Sequence, residues 1–156
     1  AEALTIPIVI QDFPPVSGFA MEPALLVDIA RDIPAARTIK LEDPPTPLKT
    51  TRLKQLAGDL PLTIFGGLGG VYLLEELMAG SAGAMTGFAY PEILVDIVSR
   101  WQAGDQDGAA DLFYRTVPLM RLEFQEGIGM AVRKEVLKRR GLITDAATRA
   151  PGATID

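Results

Sequence analysis

In residues 37–65, RTIKLEDPPTPLKTTRLKQLAGDLPLTIF, two short apolar runs flank a longer charged one. RTIKL predicts a strand, PLKTTRLKQLAG a helix closed by Gly58, and LPLTIF a second strand. Strand, helix and strand in that order read as a parallel crossover unit. The alternation continues on both sides. Upstream, TIPIVI reads as a buried strand and EPALLVDIARDI as an amphipathic helix with Pro23 in its first turn. Downstream, VYLLEELMAG reads as a helix ended by Gly80, AGAMTG as a fourth short strand and PEILVDIVSRWQAG as its helix. Four such units predict an α/β fold with a parallel sheet covered by helices on at least one face. Beyond Gly104 the strands stop. DQDGAADLFYRTVPLMRLEFQEG and IGMAVRKEVLKRRG read as helices, and LITDAATRAPGATID as a polar loop. The expected organisation is one domain, with (βα)4 over residues 1–104 and a helical region over 105–156.

Composition narrows the chemistry. The 156 residues suffice for one sizeable core. Fifteen basic against 20 acidic residues give a formal charge of -5, which argues against nucleic acid or an anionic membrane as partner. Without cysteine or histidine there are no disulfides, thiolate nucleophiles, Ser-His-Asp triads or zinc sites of the usual kind. Any reaction must use lysine, carboxylates, hydroxyls or backbone, and no metal or cofactor is expected. No uncharged run reaches the ~18 residues of a membrane span, and AEALTIPIVI lacks a basic leader segment. A cytoplasmic enzyme or binding protein is the expectation.

Four βα units fit an open doubly wound sheet or about half of a closed (βα)8 barrel of ~250 residues. In either, functional groups gather at the carboxyl ends of strands. Those ends carry QDFPP, KLEDPP, GGLGG and TGFAYP. Each has a bland reading beside a functional one. Lys40 could be a solvated side chain snorkelling from the sheet, and Gln11 and Asp12 could cap the turn before Pro14. GGLGG, Gly66 to Gly70, has neither the lysine of a phosphate loop nor dinucleotide-binding spacing, so it reads as a loop where backbone approaches a substrate. Thr86 and Gly87 form a small-residue turn or offer a hydroxyl contact. GDQDG lacks the remaining calcium ligands of an EF-hand and reads as a helix start. RKEVLKRR reads as a solvated helical face with charges favourable near its C-terminus.

The ordered set IPIVIQDFPPVSG, TIKLEDP, FGGLGG, AGSAGAMTG and AGDQDGAADLFYRTVPLM resembles the dihydrodipicolinate synthase and N-acetylneuraminate lyase family of Schiff-base lyases. The resemblance runs over nearly the whole chain and implies the C-terminal half, strands 5–8, of a TIM (βα)8 barrel with a C-terminal helical appendage. It places the imine-forming lysine at Lys40 and the proline-containing turn at Asp12 to Pro14. Gln11 stands where many relatives carry a tyrosine that relays protons, a task a carboxamide cannot perform as an acid. QD.P with K.E.P and AGAMTG is more similar to the 2-keto-3-deoxyarabonate dehydratase-like branch, which dehydrates 2-keto-3-deoxy sugar acids. A pyruvate-dependent aldolase or synthase and a non-catalytic sugar-acid-binding or structural relative are the alternatives. Glu42, two residues beyond Lys40, falls on the same strand face and is a candidate partner of the lysine. The implied partners are a small 2-oxo acid, further copies of the chain in a tetramer or dimer, and the N-terminal half of the barrel. That half would come from a separate chain, a cleaved segment or a region outside this sequence. The resemblance assigns it the substrate-carboxylate clamp, and closure with it would cover the two sheet edges that four strands leave open.

Overall fold

The computed structural model describes residues 5–155. Residues 1–4, which open the segment expected to be the half-barrel, and residue 156 lie outside it. Four strands, β1 (Val9–Asp12), β2 (Thr38–Leu41), β3 (Thr63–Gly66) and β4 (Gly83–Ala84), form one sheet. All neighbours are parallel and their spatial order is their chain order. A doubly wound sheet reverses direction at a switch point; this one does not, so its order is that of a barrel segment. In register, Gln11 lies beside Lys40 and Lys40 beside Phe65.

The chain divides into two compact units. One is built from the residues up to Gly67 with Tyr72–Met85, the other from Leu68–Val71 with Thr86 onward. The first holds the sheet, the single turn α1 (Pro14–Ser17), and helices α2 (Pro23–Asp32), α3 (Thr46–Ala57) and α4 (Leu73–Met78). Prolines open α2 and α3, where the missing N–H is no loss because first-turn amides have no partner in the helix. Leu26, Val27 and Ala30 of α2 and Leu53 of α3 close over Ile39, Leu41 and Ile64, and this cluster is the unit's core. Since Ile39 and Leu41 face the helices, strand alternation turns Lys40 to the opposite face.

TIPIVI differs from the expected buried strand. Strand pairing begins only at Val9, and Ile6 and Val9 are exposed. The edge strand has a neighbour on one side alone among the described residues, and of its apolar side chains Ile10 packs against the core while Val9 is exposed.

The second unit contains α5 (Pro91–Gln102), α6 (Gln106–Glu123) and α7 (Gly129–Arg139). Asp105 caps α6 by accepting the Gly108 amide at 3.0 Å, the helix start read from GDQDG. Pro118 lies inside α6, yet the helix runs through it. The buried stripe Ala109, Phe113, Val117 and Met120 offsets the ~3 kcal/mol such a proline costs. No described helix is long and apolar enough to cross a membrane.

Candidate active site

Lys40 rises near the carboxyl end of β2, and its Nζ stands 3.0 Å from Oε2 of Glu42. The same oxygen accepts a 2.5 Å hydrogen bond from Nε2 of Gln11. Glu42 is nearly buried while the lysine side chain is one-fifth (20%) exposed, so the amine is held yet reachable. The Glu42 backbone amide donates to the Asp12 carbonyl at 2.8 Å, which prolongs the β1–β2 ladder by one residue and fixes the carboxylate. Gly67 completes this corner: a Cβ there would come within 2.3 Å of Oε1 of Glu42.

On the helix side a second lysine plays a different part. Lys49 of α3 bonds Asp12 at 2.6 Å, Asp43 at 2.7 Å and the Met21 carbonyl at 2.5 Å. Asp12 is fully buried and its other oxygen accepts the Met21 amide. Burial works against the Lys49 charge, but the hydrogen bonds and charges of Asp12 and Asp43 outweigh it and hold its pKa above the ordinary lysine value. Lys49 is therefore locked as an ammonium and braces the strand ends. Asp12, read as a turn cap, is the buried centre of this brace.

Glu76 of α4 is 1% exposed. Its Oε1 accepts the Thr46 hydroxyl at 2.6 Å, and its Oε2 has no partner among the described residues. Burial pushes its pKa up to about 7; the Thr46 bond pulls the other way, and the charges of Glu75 and Glu42 add to the rise. A Cβ on Gly66 would lie 1.7 Å from Oε2, so the carboxyl fills the space above that glycine.

GGLGG thus serves two purposes. Gly66 and Gly67 make room for Glu76 and Glu42 in the first unit. Gly69 and Gly70 adopt left-handed φ of 68° and 77° in the second, packed against Phe124 and Leu94.

Thr86 and Gly87 belong to the second unit. Thr86 Oγ1 accepts the Gly69 amide at 2.9 Å. Gly87 lies against Arg133, whose Nε donates to the buried Glu123 at 2.5 Å, while Glu123 also accepts the Ala89 amide at 2.8 Å. Arg140 covers the Tyr90 ring at 4.4 Å and pairs with Glu92 at 2.6 Å. RKEVLKRR is therefore not wholly a solvated face: Arg133 and Arg140 turn in to clamp the segment after β4, whereas Arg139 stays exposed on Glu135. The structure brings Lys40, Gln11, Glu42 and Gly67 together on one side of the first unit and sets Gly66 against Glu76.

Lys49, Glu76 and Glu123 were not singled out from the sequence, and Arg133 was read as part of a solvated face. Two were detectable. Helical spacing puts Glu76 among Leu73 and Leu77, and Lys49 beside Thr46 and Leu53, so each is a charge on a buried stripe. Among the described residues no three His, Cys, Asp or Glu side chains cluster as a metal site.

The sequence profile of the Dihydrodipicolinate synthetase family matches residues 1–156. The chain belongs to this family. It is 32% identical over 151 residues to the L-2-keto-3-deoxyarabonate dehydratase of Azospirillum brasilense, covering 97% of this chain and 48% of that protein. To the 4-hydroxy-tetrahydrodipicolinate synthase of Methanopyrus kandleri it is 27% identical over 140 residues, covering 87% and 45%. The crystal structure of dihydrodipicolinate synthase from Rhodopseudomonas palustris superposes with a TM-score of 0.86 at 42% identity, over 96% of this chain and 51% of that one. The chain spans about half the length of these dihydrodipicolinate synthetase family relatives. The family is one of Schiff-base lyases, dehydratases and aldolases among them, and the parallel sheet in chain order agrees with a partial barrel.

Proposed function

We propose that this chain is the C-terminal half, strands 5–8, of a TIM-barrel Schiff-base lyase that dehydrates a 2-keto-3-deoxy sugar acid. The carrying observation is the Lys40 amine at a strand end, 3.0 Å from a carboxylate that a carboxamide holds in place. Lys40 hands a proton to Glu42 and attacks the C2 carbonyl; loss of water gives the imine. The water lost takes back the proton held by Glu42, whose carboxylate then accepts a proton from C3 as the imine draws electrons to form the enamine, and keeps it for the leaving C4 hydroxyl. The enamine then expels the C4 hydroxyl as water, and hydrolysis releases the dehydrated 2-oxo acid and the free lysine. Aldol cleavage instead needs a base at the C4 hydroxyl. Gln11 cannot serve, since a carboxamide has no proton-accepting role at neutral pH and its N–H is directed at Glu42. The dehydratase relative at 32% identity supports the same choice.

The other half of the barrel supplies the substrate-carboxylate clamp and pairs with the edges of β1 and β4. The assembly is a cytoplasmic homo-oligomer, a tetramer or dimer, acting on a small 2-oxo acid, with no metal, cofactor, nucleic acid or membrane. Borohydride reduction in the presence of a 2-keto-3-deoxy sugar acid should add a mass at Lys40, and Lys40→Arg should abolish both adduct and turnover while keeping the fold, because a guanidinium is not a nucleophile. An adduct that persists in Lys40→Arg would remove Lys40 from the mechanism, and pyruvate among the products would favour the aldolase reading.

A further inference from the structure

Two carboxyl side chains approach the end of β3 from its opposite faces. Glu76 fills the space over Gly66 on the helix side, and Glu42 fills the space over Gly67 on the Lys40 side, so a two-glycine backbone step separates them. Neither glycine can carry a methyl group with these acids in place, since a Cβ would meet a carboxylate oxygen at 1.7 Å or 2.3 Å.

We propose that Glu76 is a positioning residue for the reaction at Lys40: seated over Gly66, one residue from the glycine that Glu42 covers, it backs that corner and keeps the Lys40–Glu42–Gln11 arrangement in register. This deepens the Schiff-base reading and rests on it.

Glu76 does so as a neutral acid, the form that burial and the neighbouring carboxylates favour over the opposing Thr46 bond. From α3 it meets the Thr46 hydroxyl, from β3 the backbone of Gly66, from its own helix the charge of Glu75 and from the end of β2 the charge of Glu42. None of the groups that shift it is a cation. Burial dominates, holding the proton on to about pH 7. Once ionised, Glu76 would place a second negative charge behind Glu42, in a part of the protein where water screens little. Repulsion would then push Glu42 from Lys40 and Gln11. A purely structural carboxyl would have no such consequence, because a glutamine fills the same volume and accepts the same Thr46 bond.

The test compares rates of borohydride trapping at Lys40, with a 2-oxo acid, in full-length wild type, Glu76→Gln and Thr46→Val across pH. The ratio of wild-type to Glu76→Gln rates cancels the steps that the two share. It should be near unity at about pH 6 and fall about tenfold by about pH 8, the change one ionisation near 7 imposes over one unit. Thr46→Val removes the hydrogen bond that favours the charged form, so its decline should move to higher pH. A ratio that stays flat, or a decline that Thr46→Val leaves in place, overturns the proposal while Lys40 trapping upholds the Schiff-base reading. Should Glu76→Gln fail to fold, the direction of the Thr46→Val shift decides. Absence of trapping in every protein, wild type included, overturns the Schiff-base reading and this proposal with it.

Discussion

Lys40 and Lys49 both reach the carboxyl ends of the strands, and their surroundings separate them. Lys49 has two carboxylates and a carbonyl around it and is fixed as a cation, whereas Lys40 has a carboxylate at 3.0 Å and an exposed flank. Lys40 was legible because a strand has period two: flanked by Ile39 and Leu41, it must leave the helix-facing side. Its contact with Glu42 follows from the same period, since residues two apart share a face. The bond from Gln11 was not legible, as it joins residues 31 apart in the chain. Gln11 is also where reaction choice can be tested. Gln11→Tyr adds an acidic hydroxyl and removes the donor to Glu42, so pyruvate release should rise relative to dehydration in product analysis by mass spectrometry. An unchanged product ratio would remove Gln11 as the reason for dehydration.

At the scale of elements, the Asp12–Lys49 pair ties the end of β1 to α3 and, through Met21, to the start of α2. Lys49→Met would keep the stem of the side chain and leave Asp12 buried with no counter-charge. Breaking a buried pair in this way costs about 3 kcal/mol. Denaturant unfolding should register that loss, and a change below about 1 kcal/mol would mean that the brace adds little. Helix and strand positions were well read from periodicity and from the glycine and proline stops. The misreading of TIPIVI has a physical cause: an apolar run reports the capacity to be buried, and the covering surface must come from elsewhere. The helix read across Pro118 is present as α6, and the burial of Phe113, Val117 and Met120 outweighs the local propensity of the proline.

For the whole molecule, β1 and β4 each have a strand neighbour on one side alone among the described residues, Ile6 and Val9 are exposed, and the relatives are about twice as long, which supports the proposal of a second barrel half. Native mass spectrometry of the active protein should find this sequence in a roughly 250–300-residue barrel, as one polypeptide or as two associated chains. A monodisperse, active preparation containing this polypeptide alone would defeat that proposal. The sequence by itself determined the α/β class, the run of four strand-helix units and the place of Lys40 at a strand end, because backbone periodicity and local stop signals are properties of neighbouring residues. Only the tertiary structure decided between the doubly wound sheet and the barrel segment, since that choice is a matter of which strands lie side by side. It also decided which partners the carboxyl groups meet. Asp12 with Lys49, Glu42 with Gln11, and Glu76 with Thr46 are separated by 30 or more residues. Their pairing and the burial that shifts Glu76 come into being only when the helices close over the sheet.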